Sequence, residues 1–302
     1  MEGLSILIPT YNYGCTTLVR QLLEQAAHIS VPFEIIVAED GSDDETSVRQ
    51  NQAINRLEHC RLLHREQNTG RAAIRNFLAS QAAYSRLLFI DSDMIICRAD
   101  FLKKYLETEA PVVEGGFVVR GNQKGNLRYN YEKAAEHQHT AEKRLQQPYL
   151  DFHTANFMIS RELMLRHPFD VRYRYYGYED VAFGKSLKDG GISILHIDNP
   201  LSFEVFETND QFLQKTEEGL RTLYQFRAEL ADYSRLLQHV ESLPHPLLSL
   251  LRMLYRCFGK SIRSQLAGTH PSLFLFKIYK LGYYLNYKHI VYGKFITFVP
   301  KN

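Results

Sequence analysis

Tryptophan is absent from the 302 residues, so any ring that stacks on a ligand must come from the 19 tyrosines and 18 phenylalanines. Cysteine is scarce. Cys15, Cys60, Cys97 and Cys257 lie far apart and form no C-x-x-C pair, which excludes a disulfide scaffold and reads as reduced thiols in a cytoplasmic compartment. No apolar run approaches the roughly 18 residues of a spanning helix. A strand-like pattern starts at Leu4, which leaves no room for a secretory leader. Repeats and low-complexity tracts are missing too, and an apolar fraction of 45% with 23% charged residues excludes a disordered chain. The remaining absence is local: no Asp or Glu follows Glu241. The last 61 residues carry nine Lys or Arg, which leaves 27 of the 36 basic residues to face all 34 acidic ones before them. An acidic body with a basic end points to an anionic partner for that end.

The length fits two domains, divided as 1–210 and 211–302. Over the first 120 residues, strand-like and helix-like segments alternate. Apolar runs at 4–10, 33–40, 60–66, 86–93 and 110–119 are separated by helical patterns near 15–28, 43–57, 70–83 and 99–107. This repetition predicts an α/β fold with a mostly parallel sheet and helices on both faces. Residues 121–147 read as a loop entering a solvated helix, 155–163 and 191–197 as further strands, and 209–240 as helical.

Ligands of open α/β sheets bind at the carboxyl ends of the strands. Three such ends are polar here: Thr10-Tyr11-Asn12, Glu39-Asp40-Gly41-Ser42 and Asp91-Ser92-Asp93. Carboxylates dominate, so a bare anion is a poor ligand and a bound cation is implied. In extended backbone Asp91 and Asp93 point the same way, a hard oxygen pair suited to Mg²⁺ or Mn²⁺ beside a phosphate. Asp43 or Ser42 is a candidate cap for the next helix. Gly70 stands at a helix entry, with Arg71 and Arg75 one turn apart on one face. Each feature alone also has a purely structural reading.

Together, "SILIPTYN", "EIIVAEDGSDDET", "NTGRAAIRN", "FIDSDM" and "YYGYEDVAFGKSLKDGG" resemble, in order and spacing, the family 2 glycosyltransferases. The resemblance covers residues 4–210. It implies the GT-A fold, Mn²⁺ or Mg²⁺ as cofactor, and inverting transfer from a UDP-sugar to a saccharide or lipid-linked acceptor in surface polysaccharide synthesis. By the same resemblance Pro9, Thr10 and Tyr11 line the nucleobase pocket. Asp40 bonds the uracil edge beside Glu39, and Arg75 helps hold the nucleotide. Asp91 meets the ribose or the metal, with Ser92 beside it, and Asp93 ligates the metal. Asn156 faces the sugar or acceptor, and Asp180, with Glu179 next to it, is the catalytic base. Inversion is one in-line displacement, and a carboxylate that takes the acceptor's proton contributes about 10²–10⁴-fold. The segment "GYED" puts both carboxylates at a helix start, where the backbone field favours them.

One departure stands out. Phe203 occupies the place where related members commonly carry a His as a further metal ligand or phosphate contact; Glu207 is a polar group nearby, and His196 reads as core. The alternative is therefore a catalytically impaired nucleotide-sugar-binding or scaffold subunit. Sugar-nucleotide pyrophosphorylases have a similar sheet but need a Gly-rich, basic loop after the first strand, which "PTYNYGCTT" lacks. Tyr173, Tyr175, Tyr176 and Tyr178 read either as a platform for the acceptor or as packing.

Residues 246–263 read as an amphipathic helix with Arg252, Arg256, Lys260 and Arg263 in one cationic stripe. The segment 273–296 repeats the pattern, with Lys277, Lys280 and Lys288 near one face. Two readings stay open for 243–302: peripheral attachment to the anionic inner face of the cell membrane, or packing on the catalytic domain or on a second copy of the chain. No nucleic-acid-binding module is recognisable, so no nucleic acid is expected.

Overall fold

The computed structural model describes residues 1–296, with side chains through Tyr287. Lys301 and the side chains of Lys288 and Lys294 lie outside the described residues. The chain runs β1 (Leu4–Thr10), α1 (Thr16–Ala26), β2 (Phe33–Asp40), α2 (Glu45–Gln52), β3 (Cys60–Arg65), α3 (Arg71–Gln81), β4 (Arg86–Ile90) and β5 (Met94–Ile96). It continues through α4 (Phe101–Leu106), β6 (Val112–Glu114), β7 (Phe117–Val118), α5 (Leu127–Ala135), α6 (Ala141–Arg144), β8 (Asn156–Ser160), α7 (Arg161–Arg166) and α8 (Glu179–Asp189). It ends with β9 (Ile194–His196), β10 (Leu201–Phe203), α9 (Asn209–Gln225), α10 (Arg235–Ser242), α11 (His245–Ala267) and α12 (Leu273–Ile296).

Side-chain alternation along the strands builds the core of the first compact unit, residues 1–120, 135–174 and 179–205. Leu4, Ile6 and Ile8 of β1 join Ile35 and Val37 of β2 and Leu88 and Ile90 of β4 on one face, against α1 and α4. Leu7, Ile36, Leu87 and Phe89 face the other way, against α3, α7 and α8. Strands buried on both faces need such unbroken apolar runs. The seven-stranded sheet has the order β3-β2-β1-β4-β8-β6-β9. β1 pairs in parallel with β2 and β4, and β2 with β3; β8 is antiparallel to both of its neighbours. The α/β architecture is therefore the expected one, and the ends of β1, β2 and β4 share one rim.

Two expected strands are each broken. The segment 86–93 leaves the sheet after Ile90, and 94–96 becomes β5 of a three-stranded sheet, order β5-β10-β7. The segment 110–119 divides into β6 and β7 around Gly115-Gly116. The cap of α2 is Asp44, whose carboxylate accepts from the Ser47 and Thr46 amides at 3.1 and 3.4 Å, rather than Asp43 or Ser42.

The second compact unit comprises 121–134, 175–178 and 206–302. The expected boundary at 210 thus falls at 205, and two earlier segments cross over to this unit. The reason is apolar: Leu127 buries with Phe212, Leu213, Leu266, Phe276 and Tyr279, and the Tyr129 ring meets Phe206 edge-on at 5.6 Å. A capping box at Thr208 and Gln211 starts α9. Within this unit Arg263 turns inward, bonding Asp210 at 2.7 Å and Glu217 at 2.8 Å. The Arg256 Nε donates to Asn286 Oδ1 at 3.1 Å. The anticipated single cationic stripe is thus divided between cations bonded within the unit and cations facing solvent.

Candidate functional site

Glu39 and Asp40 close β2 and are both buried. Asp40 Oδ2 accepts from the Thr69 and Gly70 amides at 3.0 and 2.9 Å, and Oδ1 from the Thr69 hydroxyl at 2.9 Å. This carboxylate ties the loop before α3 to the sheet. Gly70 is required there: its φ is +92°, and an added Cβ would lie 2.2 Å from the Arg174 carbonyl oxygen. Glu39 accepts from Asn51 Nδ2 at 2.6 Å and from the Ser42 hydroxyl. Asn51 in turn accepts from the Cys15 amide at 2.9 Å. At the end of β1, Thr10 is buried and donates to the Tyr13 carbonyl at 2.9 Å, Pro9 is half-buried, and Tyr11 is 47% exposed. Asn12, with φ +52°, accepts from the Asp43 and Asp44 amides at 2.9 and 3.0 Å. Left-handed backbone suits Asn among the non-glycine residues, and this was the available signal for its role.

Asp91, Ser92 and Asp93 form a turn rather than extended backbone, because the Met94 amide donates back to the Asp91 carbonyl at 3.3 Å. Parallel orientation of the two aspartates therefore does not follow. Asp91 Oδ1 takes the Arg75 guanidinium at 2.5 Å, and Oδ2 takes Arg71 at 3.3 Å. Arg75 is 1% exposed and also donates to the Thr154 hydroxyl at 3.0 Å. The structure thus puts Arg75 against Asp91, where it positions that carboxylate, rather than at an open nucleotide surface. Ser92 is half-buried in the turn.

Arg71 and Arg75 also reach α8. Glu179 Oε1 lies 3.4 Å from Arg71 Nε and 3.8 Å from Arg75 Nη1. The two arginines, one turn apart on α3, therefore join the turn after β4 to the start of α8. Burial pushes the Glu179 carboxyl up, and the Asp180 charge adds to this, against the opposing pull of the arginines. Asp180 moves the other way. Burial raises it, but His153, the Val181 amide at 2.8 Å and Arg71 outweigh burial and hold it below the usual carboxylate range. His153 Nδ1 stands 4.0 Å from Asp180 Oδ2, and each side chain is 28% exposed. Paired carboxylates whose environments drive them apart are a recurrent acid–base arrangement.

The structure places Asn156, at the start of β8, inside the sheet. It is fully buried, its amide nitrogen donating to the Gly116 carbonyl at 2.5 Å and its oxygen accepting from the Tyr105 hydroxyl. Both ends of the amide are consumed in the core. Tyr173 is likewise 1% exposed, which removes it from any platform, while Tyr175 is open to solvent. His196 is buried, with Nδ1 2.6 Å from Glu114 Oε2 and Nε2 2.9 Å from the Pro148 carbonyl. Glu207 belongs to the second unit, where Arg128 and Lys215 pair with it.

Phe203 packs edge-on against Phe117 at 5.3 Å and pairs with Met94 across the small sheet. The next residue continues this pairing: the Glu204 amide donates to the Asp93 carbonyl at 2.9 Å. The Glu204 carboxylate, exposed, accepts from the Tyr13 hydroxyl at 2.8 Å. Burial pushes that hydroxyl up, with Glu204 and then Asp93 adding to the shift. His153, Tyr13 and Glu204 escape sequence reasoning because no local motif marks them. Glu204 had one signal, its place beside the aberrant Phe203. Among the described residues no three His, Cys, Asp or Glu side chains gather as a metal site. Asp93 and Glu204 are nevertheless hard oxygen donors on adjacent, bonded backbones. Mg²⁺ and Mn²⁺ sites are commonly built from one or two carboxylates with substrate phosphates and water, and the donor set fits that pattern.

Comparison with known proteins gives the following. Residues 5–167 match the family described as Glycosyl transferase family 2. No curated protein sequence matches the chain. Among solved structures, a mannosyltransferase from Pyrobaculum calidifontis in complex with GDP-Man and Mn²⁺ is 15% identical, with a TM-score of 0.52 over 95% of this chain and 86% of that one. TarS from S. aureus in complex with UDP-GlcNAc is 16% identical, with a TM-score of 0.48 over 95% and 92%. Glucosyl-3-phosphoglycerate synthase from Mycobacterium tuberculosis, with Mn²⁺ and UDP, is 16% identical, with a TM-score of 0.47 over 74% and 79%.

Proposed function

The chain belongs to glycosyl transferase family 2 and has the GT-A fold, and on that premise we propose that this glycosyltransferase is inverting. It moves a sugar from a UDP-sugar to a saccharide or lipid-linked saccharide of surface polysaccharide. Asp180 takes the proton of the attacking hydroxyl. Its carboxyl is held ionised and is partly open, whereas Glu179 beside it is buried against two arginines. The observation that carries the reading is the bridge made by Arg71, within 3.4 Å of both Asp91 and Glu179. It supports a common rim for the turn after β4 and the start of α8, as a single displacement requires.

Asp93 and Glu204 would hold Mn²⁺ or Mg²⁺. When bound, the ion supplies Lewis-acid neutralisation of the leaving diphosphate. Asp40, bonded through three donors, serves first to hold the loop at Gly70, and the face beside Pro9, Thr10 and Tyr11 takes the nucleobase. Arg75 acts through Asp91 by fixing the turn that carries Ser92 and Asp93.

The test is nucleoside diphosphate release from a panel of UDP-sugars and GDP-mannose with Mn²⁺, run beside Asp93→Ala and Asp180→Asn. One UDP-sugar turned over by wild type, and poorly by both variants, is the expected result. Equal turnover of every donor by all three proteins would falsify the assignment.

A further inference from the structure

Helix α11 is divided lengthwise. Leu248, Gly259 and Leu266 are buried, and Tyr255 and Ile262 pack on the cluster that contains Phe276 and Tyr279. On the opposite side Leu247, Leu250, Met253, Leu254 and Phe258 are 39–56% exposed, with exposed Cys257 and Ser261 in the same arc. At 100° per residue these positions fill one continuous face, about 17 Å long at 1.5 Å per residue. Five large apolar side chains in one exposed stripe are not scattered surface residues, and contiguous patches of this kind mark interaction sites. Arg256 and Lys260, both exposed, follow one edge of the stripe. Lys277 on α12 is exposed as well.

Charge decides what covers the face. No Asp or Glu follows Glu241 in the chain, and nine Lys or Arg do. A second copy would bring one acid-free, cationic segment against another. An anionic lipid surface instead offers hydrocarbon to the stripe and headgroup charge to Arg256 and Lys260. An apolar face with a cationic edge is the pattern of helices that lie in the membrane interface. The stripe runs lengthwise along α11, so the contact is lateral; among the described residues no helix is long and apolar enough to cross a bilayer. We propose that the exposed stripe of α11 docks the protein on an anionic membrane surface, with Leu250 and Phe258 entering the acyl boundary and Arg256 and Lys260 meeting the headgroups. The inward-turned Arg263 takes no part.

The experiment is flotation of the full chain with vesicles of phosphatidylcholine alone or mixed with phosphatidylglycerol. Wild type is expected to float with the mixed vesicles only. Leu250→Glu with Phe258→Glu should abolish flotation, and Lys260→Gln, at a cation with no part in the packing of α11 on α12, should weaken partitioning about fivefold. Thermal melting and nucleoside diphosphate release without vesicles should be unchanged in both variants, which separates a docking failure from a failure of the proposed transferase reaction. Equal flotation of wild type and variants, or equal binding to neutral vesicles, overturns the proposal. So does a concentration-dependent dimer, seen by sedimentation without vesicles and lost in Leu250→Glu with Phe258→Glu.

Discussion

The same dipeptide, Glu-Asp, ends a strand at 39–40 and begins a helix at 179–180, and the two copies have different fates. At the end of β2 both carboxylates are buried and their oxygens are taken by amides and hydroxyls of α2 and neighbouring loops. At the start of α8 Glu179 is buried on arginines, but Asp180 keeps 28% of its side chain exposed. A carboxylate saturated by buried donors is part of the frame, since removing it orphans those donors at a cost of about 1–3 kcal/mol each. A partly open one, held ionised by neighbours, is free to take a proton. Residue type alone separates none of this.

The largest expected effect breaks the comparison on one side. Asp180→Asn should lower turnover by about 10²–10⁴-fold while leaving the urea midpoint in place, because an asparagine oxygen can still accept from the Val181 amide. Should stability fall and turnover survive, the roles of the two dipeptides are reversed. Next come Asp93→Asn and Glu204→Gln. Each should weaken Mn²⁺-dependent UDP binding, read by calorimetry, by at least the roughly 10-fold that follows loss of even an outer partner of a metal site. An unchanged titration for Glu204→Gln would leave that residue as a mere partner of Tyr13.

On the framework side, Asp40→Ala should destabilise by about 2–5 kcal/mol, since three donors lose one charged acceptor. Urea unfolding measures this, and a shift below about 1 kcal/mol would argue against the tie. The smallest effect concerns pH. His153 helps hold the Asp180 carboxyl low, and the base works only when ionised. The acidic limb of the rate profile therefore lies below that of an ordinary carboxylate, and His153→Gln should move it to higher pH with little change at the plateau. An unmoved limb together with a lower plateau would make His153 structural.

Much of the fold was legible in the sequence. β1 and β2 fall on the expected residues because unbroken apolar runs bounded by polar ends admit few alternatives. Legibility failed where chain-distant partners intervene. "FIDSD" reads as a strand throughout, yet the chain turns after Ile90, with Asp91 held by two arginines from α3. Asn156 carries the right residue for a sugar contact but meets Tyr105 and Gly116 in the core. The Leu127 segment reads as a loop entering a solvated helix, and it is helical, yet its apolar side chains join a cluster assembled from residues beyond 206.

The sequence by itself determined the layered α/β sheet, the polar rim at its strand ends and the family, since periodicity and ordered motifs are local properties of the chain. Only the tertiary structure decided which acids on that rim are occupied and which stay open. It also decided which half of α11 is covered and which cations turn inward. Such outcomes depend on groups up to 191 residues apart, as Tyr13 and Glu204 are, and a hydrogen bond or a buried face exists only once folding has brought both partners together.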